Sequence, residues 1–79
     1  MCHEVVYMDY SEMGAIIRRR RKELGMSTQE LANALGIKAQ SVGRIERGEK
    51  GLSLDTFLTV CRVLRIPPAE LLKNYLTFN

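Results

Sequence analysis

Two polar side chains, Gln40 and Arg44, lie four residues apart in a stretch that the sequence predicts to be helical. Residues at this spacing share one face of a helix, so the amide and the guanidinium would point the same way. Together they can recognise the polar edges of bases, adenine through the amide and guanine through the guanidinium. The alternatives are a solvated Gln40, and an Arg44 that binds phosphate or pairs weakly with a neighbouring Glu.

The stretch that carries these groups has too little apolar surface to be a core element. Between Ala39 and Arg47, only Val42 and Ile45 have large apolar side chains. This narrow stripe would hold one side of a helix against the protein and leave a polar, basic side outward. Ala39 adds a methyl group that can touch the methyl group of thymine. Double-stranded DNA is the partner that these features predict.

A second short helix is predicted immediately before this one, over 28–35. Ser27 and Glu30 have the spacing of a capping box, in which each side chain binds the other residue's backbone N–H. Gly36 can end the helix in a left-handed conformation, which would turn the chain into the next helix. The apolar positions that we expect to face the core are Leu31, Ala34 and Leu35.

Helix signals continue on both sides of this pair. Ser11 can cap a first helix over 11–24, and Ser53 can cap a fourth. We expect a single domain over 11–79 behind an arm formed by 1–10. The fourth helix has apolar residues at helical spacing, and Pro68 suits the first turn of a fifth helix over 68–76. The apolar positions of the fourth helix are Leu54, Phe57, Leu58, Cys61 and Leu64.

The chain from Gly25 to Gly48 follows the pattern G-M-S-x-x-E-L-A-x-x-L-G-I-x-x-x-x-V-x-x-I-E-x-G. This pattern resembles the Cro/C1-type helix-turn-helix domain of phage repressors and small bacterial regulators. The resemblance extends roughly from Met13 to Leu72. It implies an all-α fold, a compact five-helix bundle like that of the lambda repressor, with the helix-turn-helix at the second and third helices.

The resemblance also implies where DNA would be contacted, with bases meeting Ala39, Gln40 and Arg44. Thr28 stands where the family commonly has a Gln, whose side chain braces the first residue of the third helix and touches the DNA backbone. The shorter side chain of Thr28 reduces this contact, for which Gln29 can substitute. Gly43 replaces the usual Ser or other side chain, at a cost of about 1 kcal/mol of helix propensity relative to Ala. The implied phosphate contacts are Thr28, Gln29, Lys38, Ser41, Arg47 and Lys50.

The basic run from Arg18 to Lys22 lies inside the predicted first helix, so its members point in different directions. The third helix is the recognition helix, the one that would enter the DNA groove. Arg21 aligns with the family arginine that pairs with the Glu at the end of this helix, here Glu46. The resemblance therefore implies a structural ion pair between Arg21 and Glu46. We expect Arg18, Arg19 and Lys22 to be solvated or to attract DNA electrostatically from a distance.

Positive charge is concentrated in the predicted DNA-binding part. The net charge is only +3, but residues 14–50 carry nine basic and four acidic side chains. A phosphate backbone attracts such a surface whatever its sequence, and the binding weakens steeply with salt. By charge alone, a solubilising surface is an equal alternative.

A second copy of the chain is expected, because one recognition helix reads few base pairs. Two-fold pairing would place two such helices about 34 Å apart on a palindromic operator. The carboxyl-terminal helix has more apolar side chains than one core-facing side can bury, although the tail could instead fold back on its own subunit. The predicted dimer interface is Leu72, Tyr75, Leu76 and Phe78.

Catalysis, metal binding and membrane insertion are not indicated. The single histidine, His3, lies in the arm, and there is no nucleophile motif or glycine-rich phosphate loop. Cys2 and Cys61 lack the spacing of a zinc site, so we expect no metal or other cofactor. No stretch approaches the roughly 20 apolar residues of a membrane span, and no secretory signal is visible, which favours the cytoplasm.

Taken together, these features predict a sequence-specific, dimeric regulator of transcription and no enzyme. The absence of a visible activating surface favours a repressor. Two alternatives stay open. One is the antitoxin of a toxin–antitoxin pair, whose tail or arm would block a toxin partner; the other is the controller of a restriction-modification operon.

Overall fold

Five helices make up residues 9–73, the part of the chain that the computed structural model describes. No strand occurs in this range, so the predicted all-α class is confirmed. The predicted end of the fifth helix at residue 76 lies outside the described residues, as do residues 1–8 of the predicted arm. The helices are α1 (Ser11–Glu23), α2 (Thr28–Leu35), α3 (Ala39–Glu46), α4 (Leu54–Leu64) and α5 (Pro68–Leu72).

Two helices, α2 and α4, begin at a serine whose side chain caps them. The capping box before α2 forms: the Glu30 N–H donates to Ser27 Oγ (3.0 Å) and the Ser27 N–H donates to Glu30 Oε1 (2.9 Å). Before α4, Ser53 Oγ accepts from the Thr56 N–H at 3.2 Å. The prediction that Ser11 caps α1 is wrong. Ser11 is the first helical residue, and its N–H donates to Asp9 Oδ1 at 2.9 Å, so Asp9 satisfies this backbone group.

The core is formed by residues from all five helices. Its most deeply buried large side chains are less than 2% exposed. Through them α1 and α2 pack on α4, α3 packs on α1 and α2, and α5 packs on α1. This arrangement holds the helix-turn-helix pair, α2 and α3, on one side of the bundle. The buried side chains are Ile17, Leu31, Val42, Val60, Leu64 and Leu71.

One predicted core position, Ala34, is exposed, and so are two apolar positions of α4. In α2, Ala32 is buried in place of Ala34, because the buried stripe is centred on Leu31, Ala32 and Leu35 and leaves Ala34 at its solvent edge. In α4, Leu54 and Leu58 are 71% and 51% exposed. The helical spacing of these two leucines is correct, but no described element covers that side of α4.

Helices α1 and α3 approach each other closely at glycines. A Cβ at Gly14 would lie 2.6 Å from the backbone oxygen of Glu46, and nearer still to that of Ile45. A Cβ at Gly48 would lie 2.7 Å from the Cα of Ser11. Both distances are shorter than carbon contacts allow. The missing side chains therefore let the end of α3 rest directly on the start of α1.

Candidate nucleic-acid interface

Helix α3 has a narrow buried side and a broad exposed one. Val42 and Ile45 are buried in the core, as their spacing predicts. Gln40, Arg44 and Arg47 are exposed, and Gly43 lies between them. We call Gln40, Gly43, Arg44 and Arg47 the outward face of α3. Its polar groups are thus accessible along two turns of helix.

A nearly buried ion pair fixes the orientation of α3. Arg21 Nε and Nη2 donate to the two carboxylate oxygens of Glu46 at 2.6 and 3.0 Å, and Arg21 Nη1 donates to the Met26 carbonyl at 2.8 Å. The two side chains are only 10% and 6% exposed. The hydrogen bond to Glu46 raises the pKa of Arg21. We call Ser11, Gly14, Arg21, Glu46 and Gly48 the α1–α3 seam.

The basic run of α1 divides between structure and solvent. Arg20 Nε donates to the carbonyl of Leu64 at 2.9 Å, so the arginine preceding Arg21 ties α1 to the end of α4. Sequence reasoning missed this contact. A cation at a helix carboxyl terminus is favourable, but only the tertiary fold brings this pair together. Arg18, Arg19 and Lys22 are exposed, as predicted.

The residues predicted to contact bases and phosphates occupy different environments. Ala39 and Ser41 are partly exposed at the start of α3, and Lys38, just before it, is exposed. Thr28 is partly buried. Gln29 donates from its amide to Asn33 Oδ1 at 2.9 Å, so its amide is bound within α2. Lys50 is exposed in the loop after α3.

A carboxylate that the predicted site did not include lies at the end of the outward face. Arg47 Nε donates to Glu49 Oε2 at 2.6 Å, and Arg44 Nε lies 3.8 Å from Glu49 Oε1. The hydrogen bond from Arg47 lowers the pKa of Glu49. The surface pair considered as the alternative for Arg44 is therefore present. The signal for this pair in the sequence was Glu49, which directly follows Gly48 at the end of α3.

An apolar groove is lined by the start of α1, the loop before α4, α4 itself and the end of α5. Of the predicted dimer residues, only Leu72 is described; it is partly buried and lines this groove of about 320 Å³. Tyr75, Leu76 and Phe78 lie outside the described residues. The exposed Leu54 borders the groove, and Leu58 follows it one turn along α4. The other lining residues are Tyr10, Met13, Leu52 and Phe57.

Residues 9–73 show no feature of a metal site or of a membrane-spanning helix. In this range, no group of three or more His, Cys, Asp or Glu side chains could hold a metal ion. Cys61 is buried in the core, and desolvation raises the pKa of its thiol. None of the described helices combines the length and the apolar character needed to cross a membrane.

Comparison with known proteins finds the same arrangement elsewhere. The family model described as helix-turn-helix matches residues 17–71. An uncharacterized HTH-type transcriptional regulator of Methanothermobacter thermautotrophicus is 36% identical over 52 residues, which is 66% of this chain and 75% of the relative. A similar regulator of Sinorhizobium medicae is 33% identical over 55 residues. That match covers 70% of this chain but only 40% of the relative's length.

Solved structures agree in fold. The restriction-modification controller protein C.AhdI from Aeromonas hydrophila superimposes with a TM-score of 0.73 at 35% identity, covering 82% of this chain and 98% of that one. The P22 c2 repressor, solved with a synthetic operator, gives a TM-score of 0.74 at 31% identity, covering 77% and 92%. Both the family model and these folds include the α2–α3 pair. The chain therefore belongs to the helix-turn-helix family of the Cro/C1 type.

Proposed function

We propose that this chain is a sequence-specific, double-stranded-DNA-binding regulator of transcription that acts as a homodimer. The observation that carries the proposal is the outward face of α3, which is held by the α1–α3 seam with Gln40 and Arg44 exposed one turn apart. Relatives named as transcriptional regulators and a similar repressor solved with operator DNA support it. Because its partner is DNA, we place the protein in the cytoplasm.

In this proposal, the outward face enters the major groove. The Gln40 amide binds adenine N6 and N7, the Arg44 guanidinium binds guanine O6 and N7, and the Ala39 methyl group touches thymine. Basic and polar groups around the turn hold the duplex by its phosphates and fix the register without reading sequence. These groups are Thr28, Gln29, Lys38, Ser41, Arg47 and Lys50.

Selection from a pool of random duplexes tests this function. The protein should enrich one sequence, and a palindrome is expected if two copies bind together. Titration at low ionic strength should then give tighter binding to that sequence than to a scrambled duplex of equal length. No association with any duplex at low salt would contradict the proposal.

The dimer rests on the exposed apolar side of α4. Leu54 and Leu58 lie at positions i and i+4, so their exposed side chains form one patch beside the groove that Leu72 lines. Apolar surface of this kind is commonly covered by another protein. A second copy would cover this patch and pair two recognition helices.

Sedimentation at micromolar concentration tests the dimer. The unmodified chain should sediment as a dimer, and Leu58→Lys should shift it towards monomer. A clean monomer for the unmodified chain refutes the dimer.

A controller of a restriction-modification operon is the second candidate. The match to C.AhdI favours this role, since the match covers 98% of the C.AhdI chain at 35% identity. A gene for a nuclease or methylase beside the gene for this protein, with the selected sequence in the promoter between them, is the expected finding. An operator next to unrelated genes would exclude this role and leave the general one intact.

A further inference from the structure

The turn after α3 places a carboxylate beside the surface proposed to bind DNA. Gly48 adopts a left-handed conformation, with φ of +77°. Its N–H donates to the carbonyl of Ile45 at 3.0 Å, and the N–H of Glu49 donates to that of Arg44 at 2.9 Å. This pair of hydrogen bonds is a Schellman motif, which folds the chain back against the end of the helix. The backbone of Glu49 is therefore fixed against the last turn of α3.

From this position, the side chain of Glu49 reaches both arginines of the outward face. One carboxylate oxygen accepts from Arg47 Nε at 2.6 Å, and the other lies 3.8 Å from Arg44 Nε. The guanidinium of Arg47 is folded back along the helix beside Gly43, where an added Cβ would lie 3.1 Å from Nη1. Both arginines are thus drawn towards one internal anion.

These contacts are weak enough to be exchanged. The side chains of Arg47 and Glu49 are 59% and 49% exposed, and ion pairs in such surroundings contribute little to stability. A base edge that offers Arg44 two well-aligned acceptors can replace the carboxylate. A phosphate offers no such advantage, since it competes for the arginine and is also repelled by the negative charge of Glu49.

We infer that Glu49 is a specificity-determining residue, which reduces the binding of Arg44 and Arg47 to phosphates of any sequence and so favours duplexes that present the correct base to Arg44. The inference rests on the DNA-binding function proposed above. Discrimination commonly depends on an element that disfavours the wrong partner as well as on contacts to the right one. Here that element is a carboxylate beside the two arginines.

The variant Glu49→Gln tests the inference, because it removes the charge and keeps the size of the side chain. Dissociation constants are measured for the selected duplex and for a scrambled duplex over a series of salt concentrations. Binding to the scrambled duplex should tighten about three- to tenfold, and its salt dependence should steepen by about one unit of log–log slope, as one more phosphate is neutralised. Binding to the selected duplex should change by less than about twofold, so the specificity ratio falls.

Glu70→Gln is the matched control. It changes the net charge by the same amount, and Glu70 also faces an arginine, Arg19, across 3.9 Å, but it lies on α5. Its effect on the specificity ratio should stay below about twofold, because it lies away from the outward face. Thermal unfolding of both variants should show that the fold is kept, as expected for exposed positions.

Three outcomes overturn the inference and leave the proposed function intact. If both variants bind the scrambled duplex equally more tightly, the change in net charge alone explains the effect. If Glu49→Gln weakens the selected duplex, Glu49 positions the arginines and does not compete with phosphate. If the unmodified protein discriminates between duplexes and Glu49→Gln leaves both affinities unchanged, Glu49 has no role, although the proposed function stands. Failure of the unmodified protein to bind any duplex would instead overturn the proposed function and this inference together.

Discussion

Two glutamates at the end of α3 bind arginines in opposite surroundings. Glu46 is nearly buried in the α1–α3 seam and accepts two hydrogen bonds from Arg21, whereas Glu49 is exposed beside Arg47 and Arg44. Losing one member of a buried pair leaves an uncompensated charge in the interior, whereas water takes the place of either member of an exposed pair. The same chemistry therefore fixes the helix on one side and stays exchangeable on the other.

The largest expected effect comes from breaking the seam pair. Arg21→Met leaves Glu46 without its partner and should lower the free energy of unfolding by about 3–5 kcal/mol. Urea denaturation followed by circular dichroism measures it. Arg19→Met, at an exposed position of the same helix, is the control and should stay within about 0.5 kcal/mol. A loss below about 1 kcal/mol for Arg21→Met would mean that the pair has no structural role.

The next largest effect concerns the glycine of the seam. In Gly14→Ala, the new methyl group meets backbone oxygens of α3 that cannot rotate away, and we expect destabilisation of about 1–3 kcal/mol despite the better helix propensity of Ala. Thermal unfolding measures it. An unchanged or higher midpoint would show that α1 and α3 can separate at little cost.

On the outward face, the expected effects are on binding. Gln40→Ala and Arg44→Ala should each cost about 1–3 kcal/mol of discrimination between the selected and the scrambled duplex while sparing binding to the scrambled one. Lys50→Ala should weaken both duplexes alike and reduce the salt slope by about one. Fluorescence anisotropy over several salt concentrations separates the two patterns. Equal losses on both duplexes for all three variants would contradict this division of roles.

The smallest expected effect is at Gly43, which provides the counterpart to Gly14. A methyl group there meets only the flexible end of Arg47, so Gly43→Ala should stabilise the protein by about 0.5–1 kcal/mol through helix propensity. The opposite signs of Gly14→Ala and Gly43→Ala, measured by the same thermal unfolding, would sharpen the contrast between the two sides of α3. Destabilisation by Gly43→Ala would show that the outward face is also tightly constrained.

Most of the fold could be predicted because its signals are local. The capping box at Ser27 and Glu30, and glycines such as Gly36, which has a φ of +70°, define helix ends from neighbouring residues alone. Burial is harder to predict, because periodicity shows which side of a helix is apolar but not whether another element covers it. Leu54 and Leu58 follow the period of α4, but they are exposed because no described element covers them.

The candidate site could be predicted in part. The spacing of Gln40, Arg44, Val42 and Ile45 indicated which side of α3 is outward. The contact from Arg20 to the end of α4 could not be predicted, since its partners are 44 residues apart. The pairing of Glu49 with Arg47 depends on the direction of the chain after Gly48, which the glycine signalled without giving the side-chain positions.

The seam also bears on how this protein could be re-engineered. The orientation of α3 is set by its contacts with α1. Transplanting residues 27–48 into another protein would therefore move Gln40 and Arg44 without the helix that orients them. A redesign for a different operator should keep Gly14, Arg21 and Glu46 and change only the solvent-exposed residues of α3. The portable unit is three helices, not two.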